Sequence, residues 1–287
     1  MRVIKAKSIL TRCNFPGVDF SANPYVGCMH CCKYCYAEYM TRFTNHSPPW
    51  GSFVDVKYWD EIKNLQKYSG KTIVISSVTD PYQSCETKYK RTHVLLEQLL
   101  DVEVNVIIIT KSDLVLRDLN LIKRFEKVTV ALSINTLDET FRRDMDCATS
   151  IERRIDVLKT LHDAEIPTVC FISPIFPKIT NPQKIVLAVK EYCNMIWLEN
   201  LNLKGANKGR ILNYIYKRHN NLLPLYRDIY INNDMSYWQL LDNEIELFAN
   251  TRHFKYTHDF ALVENCDQLT IVNCFFHDKI ASSNSNK

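Results

Sequence analysis

Short apolar segments and longer amphipathic segments alternate along most of the chain. The apolar segments are rich in β-branched residues and lack polar alternation, which is typical of parallel strands covered on both faces. They occupy residues 71–77, 103–110, 127–134, 167–172 and 195–201. The segments between them have helical periodicity, at residues 93–100, 113–125, 150–164 and 181–192.

Residues 23–27 and 33–43 begin this series as a first strand and a first helix. About six strand–helix units therefore follow one another. The pattern predicts an α/β fold in which a parallel sheet forms a partial (β/α)6 barrel of the TIM type, with helices on its outer face.

The last third of the chain has a different pattern. Helices are predicted at 210–219, 222–229 and 235–250, followed by strands at 256–262 and 268–276. No linker precedes this part. We therefore predict a core over residues 1–205, an extension over 206–280 that packs on the core, and a polar, disordered tail over 281–287.

Composition excludes several classes of protein. The 287 residues are 46% hydrophobic and 24% charged, which excludes a mainly disordered, collagen-like or coiled-coil chain. The net charge of +4 is too small to indicate a nucleic-acid partner by itself. No apolar run reaches the roughly 20 residues of a membrane span, and no signal peptide is visible. We expect a cytoplasmic protein without a membrane partner.

The 11 cysteines point to metal binding or catalysis. Their number is odd and no secretion signal is visible, which argues against a disulfide framework. Four of them (Cys28, Cys31, Cys32 and Cys35) fall within eight residues. Two abutting C-x2-C pairs would suggest zinc, although zinc sites normally separate their pairs by a dozen residues or more. The alternative spacing, C-x3-C-x2-C, would place three thiolates on an iron–sulfur cluster and leave one iron open.

The second spacing occurs in a recognisable context. Tyr34 precedes the last cysteine, and residues 23–28, 77–83 and 110–113 carry further matching strings. Over residues 5–205 the chain resembles the radical S-adenosylmethionine (radical SAM) superfamily, in its spore photoproduct lyase-like branch. The resemblance implies a [4Fe–4S] cluster on Cys28, Cys32 and Cys35, with Cys31 at a non-ligand position.

In that superfamily, S-adenosylmethionine binds the open iron. One electron cleaves it to methionine and a 5′-deoxyadenosyl radical, which abstracts a hydrogen atom from the substrate. The resemblance therefore implies two cofactors, the cluster and S-adenosylmethionine, and a reductant such as flavodoxin or ferredoxin as partner.

The resemblance also implies cofactor contacts, mostly at the carboxyl ends of the strands, where barrel active sites lie. Each of these residues could instead be an ordinary turn, cap or core residue. The expected contacts are Tyr25, Tyr36, Thr79, Asp80, Lys111, Ser133, Ser173, Glu199 and Asn200.

The loop after the second strand carries the catalytic candidates Ser77, Tyr82 and Cys85. Spore photoproduct lyase has a hydrogen-donating cysteine where Ser77 stands here, so Cys85 would have to replace it. This difference leaves three hypotheses. The chain is a radical SAM enzyme that acts on an unidentified small molecule or peptide, a nucleic-acid lesion repair enzyme, or a non-enzymatic iron–sulfur and S-adenosylmethionine-binding protein. A second cluster that includes Cys266 and Cys274 is a further possibility.

Overall fold

A computed structural model describes residues 1–260 and 268–274. Its strands are β1 (Arg2–Lys5), β2 (Leu10–Arg12), β3 (Phe20–Ala22), β4 (Tyr25–Val26), β5 (Asp55–Tyr58), β6 (Thr72–Ile75), β7 (Asn105–Thr110), β8 (Lys127–Ser133), β9 (Thr168–Ile175), β10 (Met195–Asn200), β11 (Lys255–Thr257) and β12 (Thr270–Asn273). Its α-helices are α1 (Glu86–Tyr89), α2 (Arg91–Leu99), α3 (Leu119–Ile122), α4 (Glu139–Met145), α5 (Ile151–Asp163), α6 (Pro182–Val189), α7 (Ala206–Arg218), α8 (Leu223–Tyr230) and α9 (Ser236–Thr251). Short 3-10 helices lie at Tyr36–Phe43, Leu65–Tyr68, Asp113–Asp118, Lys190–Tyr192 and Asn220–Leu222.

The main sheet has the strand order β11-β12-β10-β9-β8-β7-β6-β3-β2. All neighbours pair in parallel except β2 and β3, which are antiparallel. Strands β3 and β6 to β10 are the six strands of the predicted partial barrel. The predicted α/β fold with a TIM-type parallel sheet is therefore confirmed.

The first barrel strand lies earlier than predicted. Residues Phe20–Ala22 pair with β6, whereas Tyr25–Val26 pair with β5 in a separate three-stranded sheet of order β1-β5-β4. Pro24 lies between the two segments and has no N–H to give to a strand ladder. Its carbonyl instead accepts a hydrogen bond from Lys57 N at 3.0 Å.

The helices also differ from the prediction in detail. The helix predicted over 33–43 is a 3-10 helix that begins after Cys35, and the one predicted over 113–125 is divided between a 3-10 helix and α3. Helix α4 was not predicted; the Asp138 side chain caps it by accepting from Thr140 N and Phe141 N. The predicted Ser150 cap of α5 is confirmed, since its side chain accepts from Arg153 N.

Alternate side chains of the barrel strands enter two separate apolar clusters. Ile73, Ile75 and Ile108 pack outwards in the large cluster that also includes helix residues. Val74 and Trp197 belong to the second, smaller cluster inside the barrel. The inside is therefore filled at this level, as in other barrels of this type, and the carboxyl ends of the strands are left to form a site.

The segment after residue 205 extends the same sheet. Strand β12 pairs with β10, with Met195 opposite Thr270, and β11 pairs with β12. Both strands predicted near the C-terminus are present but shorter than predicted: the one expected over 256–262 is β11, which ends at Thr257, and the one expected over 268–276 is β12, over Thr270–Asn273. Residues 261–262 and 275–276 lie outside the described residues. The predicted tail over 281–287 also lies outside them, and a domain boundary at residue 206 stays a prediction. No helix in the described part of the chain is long and apolar enough to cross a membrane.

A buried ion pair joins α5 to the segment that follows α4. The fully buried side chain of Arg154 donates to Asp146 Oδ1 at 2.9 Å, to Ser133 O at 3.1 Å and to Thr149 O at 2.7 Å. Asp146 also accepts from the hydroxyl group of Tyr34 at 3.3 Å. Through this hydrogen bond with Tyr34, the buried ion pair contacts the cysteine loop.

Replacing Arg154 by Leu should destabilise the protein strongly. The change removes the cation that is hydrogen-bonded to the buried Asp146 carboxylate, and breaking a buried ion pair typically costs about 3–5 kcal/mol. Arg142 Nη1, which lies 3.8 Å from Asp146 Oδ1, is the cation that remains. The neighbouring Arg153→Leu change is the matched control, because its side chain is 68% exposed and pairs with Asp113 at the surface; it should cost at most about 1 kcal/mol. Urea denaturation measures both, and equal midpoints for the two variants would contradict this account.

Candidate functional site

The four clustered cysteines lie on one loop between β4 and the 3-10 helix Tyr36–Phe43. Cys28, Cys32 and Cys35 are partly buried, Cys31 is exposed, and none is in a disulfide. Gly27 lies at the start of this loop, between β4 and Cys28. It has a φ of +87°, and a Cβ there would lie 2.2 Å from Phe53 O, so no larger residue fits.

A buried glutamine holds both sides of Cys28. Gln83 is fully buried; its Oε1 accepts from Met29 N at 2.9 Å, and its Nε2 donates to Gly27 O at 3.2 Å. Sequence reasoning did not assign Gln83 a role, although it lies in the matching string at 77–83. Its buried amide fixes the backbone on which the first cysteine sits.

Asp80 ties the same loop to the ends of β6 and β7. Its Oδ1 accepts from Tyr82 N and Thr110 Oγ1, its Oδ2 accepts from Lys111 N at 2.7 Å, and His30 Nε2 lies 3.1 Å from Oδ2. Burial acts to raise the pKa of this carboxyl group, but His30 and these donors outweigh it and hold the pKa at about 2. The oxygens of Asp80 are engaged within the protein, so it positions the loops. Its predicted contact with the cofactor stays a prediction.

Helix α7 holds the other half of the loop. Arg210 Nε donates to Lys33 O at 2.9 Å and its Nη2 donates to Glu38 at 2.6 Å, while Asn207 Nδ2 donates to Tyr34 O at 3.1 Å. These contacts come from residues far along the chain and were not predicted. The extension therefore takes part in shaping the cysteine loop.

The environment of the thiols suits metal coordination. Burial raises the pKa of Cys32 to about 12, against the opposing effect of Lys111, and burial together with Asp80 raises the pKa of Cys28. These thiols are therefore neutral unless a metal displaces their protons. Burial also raises the pKa of Cys35, while nearby N–H groups, including the indole N–H of Trp50, act to lower it.

Trp50 provides a test of whether a cluster fits. Its buried Nε1 has no nitrogen or oxygen acceptor among the described residues, yet it lies beside Cys35. A cluster-bound thiolate accepts such a hydrogen bond, and donors of this kind tune iron–sulfur centres. The residues present therefore fit a cluster on this loop. Within residues 1–260 and 268–274, no three His, Cys, Asp or Glu side chains converge on a single metal-ion site.

Several predicted cofactor contacts do gather at the carboxyl ends of the strands. Lys111 follows β7 and lies close enough to Cys32 and Cys35 to lower the pKa of each thiol. Its Nζ lies 6.0 Å from the Tyr34 ring. The Lys111 ammonium group is therefore within electrostatic reach of two of the predicted cluster ligands.

On the opposite strands, Ser173 Oγ is hydrogen-bonded to Glu199, and Glu199 is near enough to Tyr36 to raise the pKa of that phenol in addition to the effect of burial. Tyr36 in turn donates to Ser77 O. Ser77 also exchanges hydrogen bonds with Asn23. The predicted residues of the second, fifth and sixth barrel strands are thus joined by hydrogen bonds in two pairs, Ser173 with Glu199 and Tyr36 with Ser77, which lie within electrostatic reach of each other.

The remaining contacts of this set are placed less specifically. Thr79 is buried and its hydroxyl group has no partner among the described residues, so it is available to a ligand. Ser133 is buried at the end of β8, and Asn200 is partly buried at the end of β10. Their roles as cofactor contacts stay predictions.

Three other predicted residues make contacts within the protein. Tyr25 is fully buried and donates to Glu86, and Cys85 packs with Tyr25 in a small apolar cluster. Tyr82 is fully buried and donates to Asp118 Oδ2 at 3.1 Å. A contact with the cofactor for Tyr25, and catalytic roles for Tyr82 and Cys85, stay predictions.

Two other thiols lie inside the barrel instead. Cys274 follows β12 in the inner apolar cluster, and Cys13 packs against that cluster. Burial, together with the nearby Glu199, raises the pKa of Cys274 to about 12. The alternation of side chains along β12 was the signal for this placement. The possible second cluster cannot be placed, because Cys266 lies outside the described residues.

Comparison with known proteins places this geometry in a family. The model of the radical SAM superfamily matches residues 22–186, which are more than half of the chain. The chain belongs to the radical SAM superfamily. This membership implies a [4Fe–4S] cluster and S-adenosylmethionine as cofactors, and it makes the chain an enzyme by family.

The relatives are similar in sequence but have uncharacterised functions. A protein of Methanocaldococcus jannaschii is 39% identical over 208 residues, which cover 71% of this chain and 79% of the relative. A protein of the Acidianus two-tailed virus is 32% identical over 193 residues, covering 63% of this chain and 62% of the relative.

Among solved structures, spore photoproduct lyase complexed with a dinucleoside spore photoproduct has a similar fold, with a TM-score of 0.55 and 14% identity. The match covers 75% of this chain and 66% of the lyase chain. At this identity the likeness concerns the fold.

Replacing Gly27 by Ala should abolish cluster retention. The new Cβ would meet the Phe53 carbonyl group, so the loop that carries Cys28 must move. Gly70→Ala is the matched control, since Gly70 has a similar φ of +70° but no atom within 4 Å of the added Cβ; it should cost only about 1 kcal/mol of backbone strain. Iron and sulfide analysis after reconstitution measures the outcome. Equal iron contents in the two variants would refute the steric argument.

Proposed function

We propose that this chain is a radical SAM enzyme whose [4Fe–4S] cluster is held by Cys28, Cys32 and Cys35. When bound, the cluster and S-adenosylmethionine supply reductive cleavage to methionine and a 5′-deoxyadenosyl radical, which abstracts hydrogen from a substrate still to be identified. A reductant such as flavodoxin or ferredoxin would supply the electron. The observation that carries the proposal is a single loop with three partly buried thiols, two of which are near enough to the Lys111 ammonium group for it to act to lower their pKa.

Lys111 is suited to bind the carboxylate group of S-adenosylmethionine. Its backbone is fixed by the bond from Lys111 N to Asp80, so its ammonium group is presented from a rigid base. A hydrogen bond between two charged groups typically contributes about 1.5–3 kcal/mol. The unpartnered hydroxyl group of Thr79 offers a further polar contact on the same side.

The polar chain on the opposite strands would orient the rest of the cofactor. Ser173 Oγ donates to Glu199 at the ends of β9 and β10. Tyr36, which is within electrostatic reach of Glu199, donates to Ser77 O in the loop after β6. Below them, the inner cluster around Trp197 is buried and apolar. Such a floor excludes water and limits the donors that a reactive radical could attack.

The decisive experiment compares two adjacent cysteines. The protein is reconstituted anaerobically, reduced with dithionite and given S-adenosylmethionine, and 5′-deoxyadenosine is assayed. Wild type and Cys31→Ser should bind about four irons per chain and form the product, whereas Cys32→Ser should lose both, because only Cys32 is a proposed ligand. Equal losses in the two variants would show that the ligand set is wrong. An intact, reducible cluster that forms no product with any substrate would favour the non-enzymatic alternative.

Nucleic-acid repair is a second candidate, favoured by an exposed aromatic surface beside the cluster loop. Tyr39 and Phe43 on the 3-10 helix are 47% and 67% exposed, and the Arg42 guanidinium group lies 5.6 and 4.6 Å from their ring centroids. Exposed rings interleaved with cations are the usual platform for unpaired bases. The inward-facing thiols Cys13 and Cys274, rather than Cys85, would then be the candidates for a hydrogen donor.

This second function predicts that the chain binds single-stranded oligonucleotides, with an affinity that falls as salt rises. Phe43→Ala should weaken binding by about 5- to 150-fold, because one stacked base contributes about 1–3 kcal/mol. Tyr58→Ala is the matched control, since Tyr58 is also exposed beneath an arginine, Arg91, but lies on the separate small sheet. Fluorescence anisotropy measures the affinities. Absence of binding at low salt, or equal losses in both variants, would count against nucleic acid as substrate.

A further inference from the structure

Two exposed thiols lie against each other at the edge of the cysteine loop. Cys31 is in the loop but outside the proposed ligand set, and Cys147 follows α4; both side chains are exposed. The two thiols are near enough to each other that Cys147 adds to the effect of burial in raising the pKa of Cys31. Neither residue has a role in the proposed chemistry.

The backbone holds the two residues at the distance of a disulfide. Cys147 N donates to His30 O at 2.8 Å, and Lys33 N donates to Met145 O at 2.9 Å. The first bond keeps the Cα atoms of Cys31 and Cys147 within about 7 Å, and disulfides span about 4.4–6.8 Å between Cα atoms. The thiol pair thus lies between two existing hydrogen bonds, so a covalent link would need little movement.

The Cys31 side chain is already turned away from a ligand role. Its backbone has a φ of +52°, and its thiol donates to Gly51 O at 2.8 Å. A Cβ on Gly51 would lie 3.2 Å from Cys31 Cα, so this glycine leaves room for that conformation. The loop therefore presents Cys31 outwards, towards Cys147.

We propose that Cys31 and Cys147 are a redox-active dithiol that closes to a disulfide by exchange with a small-molecule disulfide. One cysteine thiolate attacks the small disulfide and releases one of its halves as a thiol. The second cysteine thiolate then attacks the mixed disulfide and releases the other half. The two cysteines lose two electrons and two protons, which the small disulfide takes up as it becomes two thiols.

The link would fasten the cysteine loop to the segment after α4 by a covalent bond. It would also occupy the one loop thiol that could compete with Cys28 or Cys32 for iron. The exchange reaction does not require cleavage of S-adenosylmethionine, so this proposal is tested independently of the proposed function.

The test uses cluster-loaded protein, in which the proposed ligand thiolates are bound to iron. The protein is treated anaerobically with oxidised glutathione, denatured, and alkylated without reduction. Two of the 11 cysteines should escape alkylation. Cleavage after Lys and Arg should yield one new species that joins residues 13–33 to residues 144–153, with fragment ions that place the bond at Cys31 and Cys147.

Three variants decide the assignment. Cys147→Ser and Cys31→Ser should each lose the cross-linked species completely, while Cys13→Ser should keep it, although Cys13 lies on the same proteolytic peptide. Cys147 is exposed, so the variant should fold, and its iron content confirms this. Failure of wild type to form the cross-link, or a cross-link that survives in Cys31→Ser, would overturn the proposal.

Discussion

The buried carboxylate of Asp80 connects three parts of the structure through one side chain. It accepts from the turn that follows β6 and from the end of β7, and its Oδ2 lies 3.1 Å from His30 Nε2 in the cysteine loop. A buried charge is unfavourable unless it is fully paired, so the three parts cannot separate without exposing it. The relative positions of the loop thiols and of Lys111 follow from this one group.

The barrel supplies the second constraint. Side chains alternate between the two faces of each strand, so every second residue faces the inside of the barrel. The inward-facing residues in the middle of the strands are apolar, whereas those at the carboxyl ends are polar. Trp197 and Glu199 show the change within one strand: the first is buried in the inner cluster, and the second is hydrogen-bonded to Ser173. The inward-facing residues of one strand thus contribute both to the apolar inner cluster and to the polar carboxyl end of the barrel.

The apolar pattern of the strands explains what could be predicted from sequence. The barrel strands are continuous apolar runs, so their order and the positions of Lys111, Ser133, Ser173 and Glu199 at their ends followed from the pattern together with the family resemblance. The contacts of Tyr25 and Tyr82 did not follow, since they depend on Glu86 and Asp118 in the outer layer. The hydrogen bond from Arg210 in α7 to Lys33 in the cysteine loop joins residues 177 positions apart, so no local sequence pattern could predict it.

Burial also separates the roles of the many cysteines. Cys170 and Cys193 lie in the apolar layer beneath the helices, where burial raises the pKa of both thiols and keeps them unreactive. The three proposed ligands are partly buried on a loop whose backbone is fixed from several sides, so they can reach iron without being open to solvent. Cys31 and Cys147 alone among the described cysteines are exposed. Among the described cysteines, the exposed thiols are thus one pair at the edge of the cysteine loop, separate from the three proposed cluster ligands.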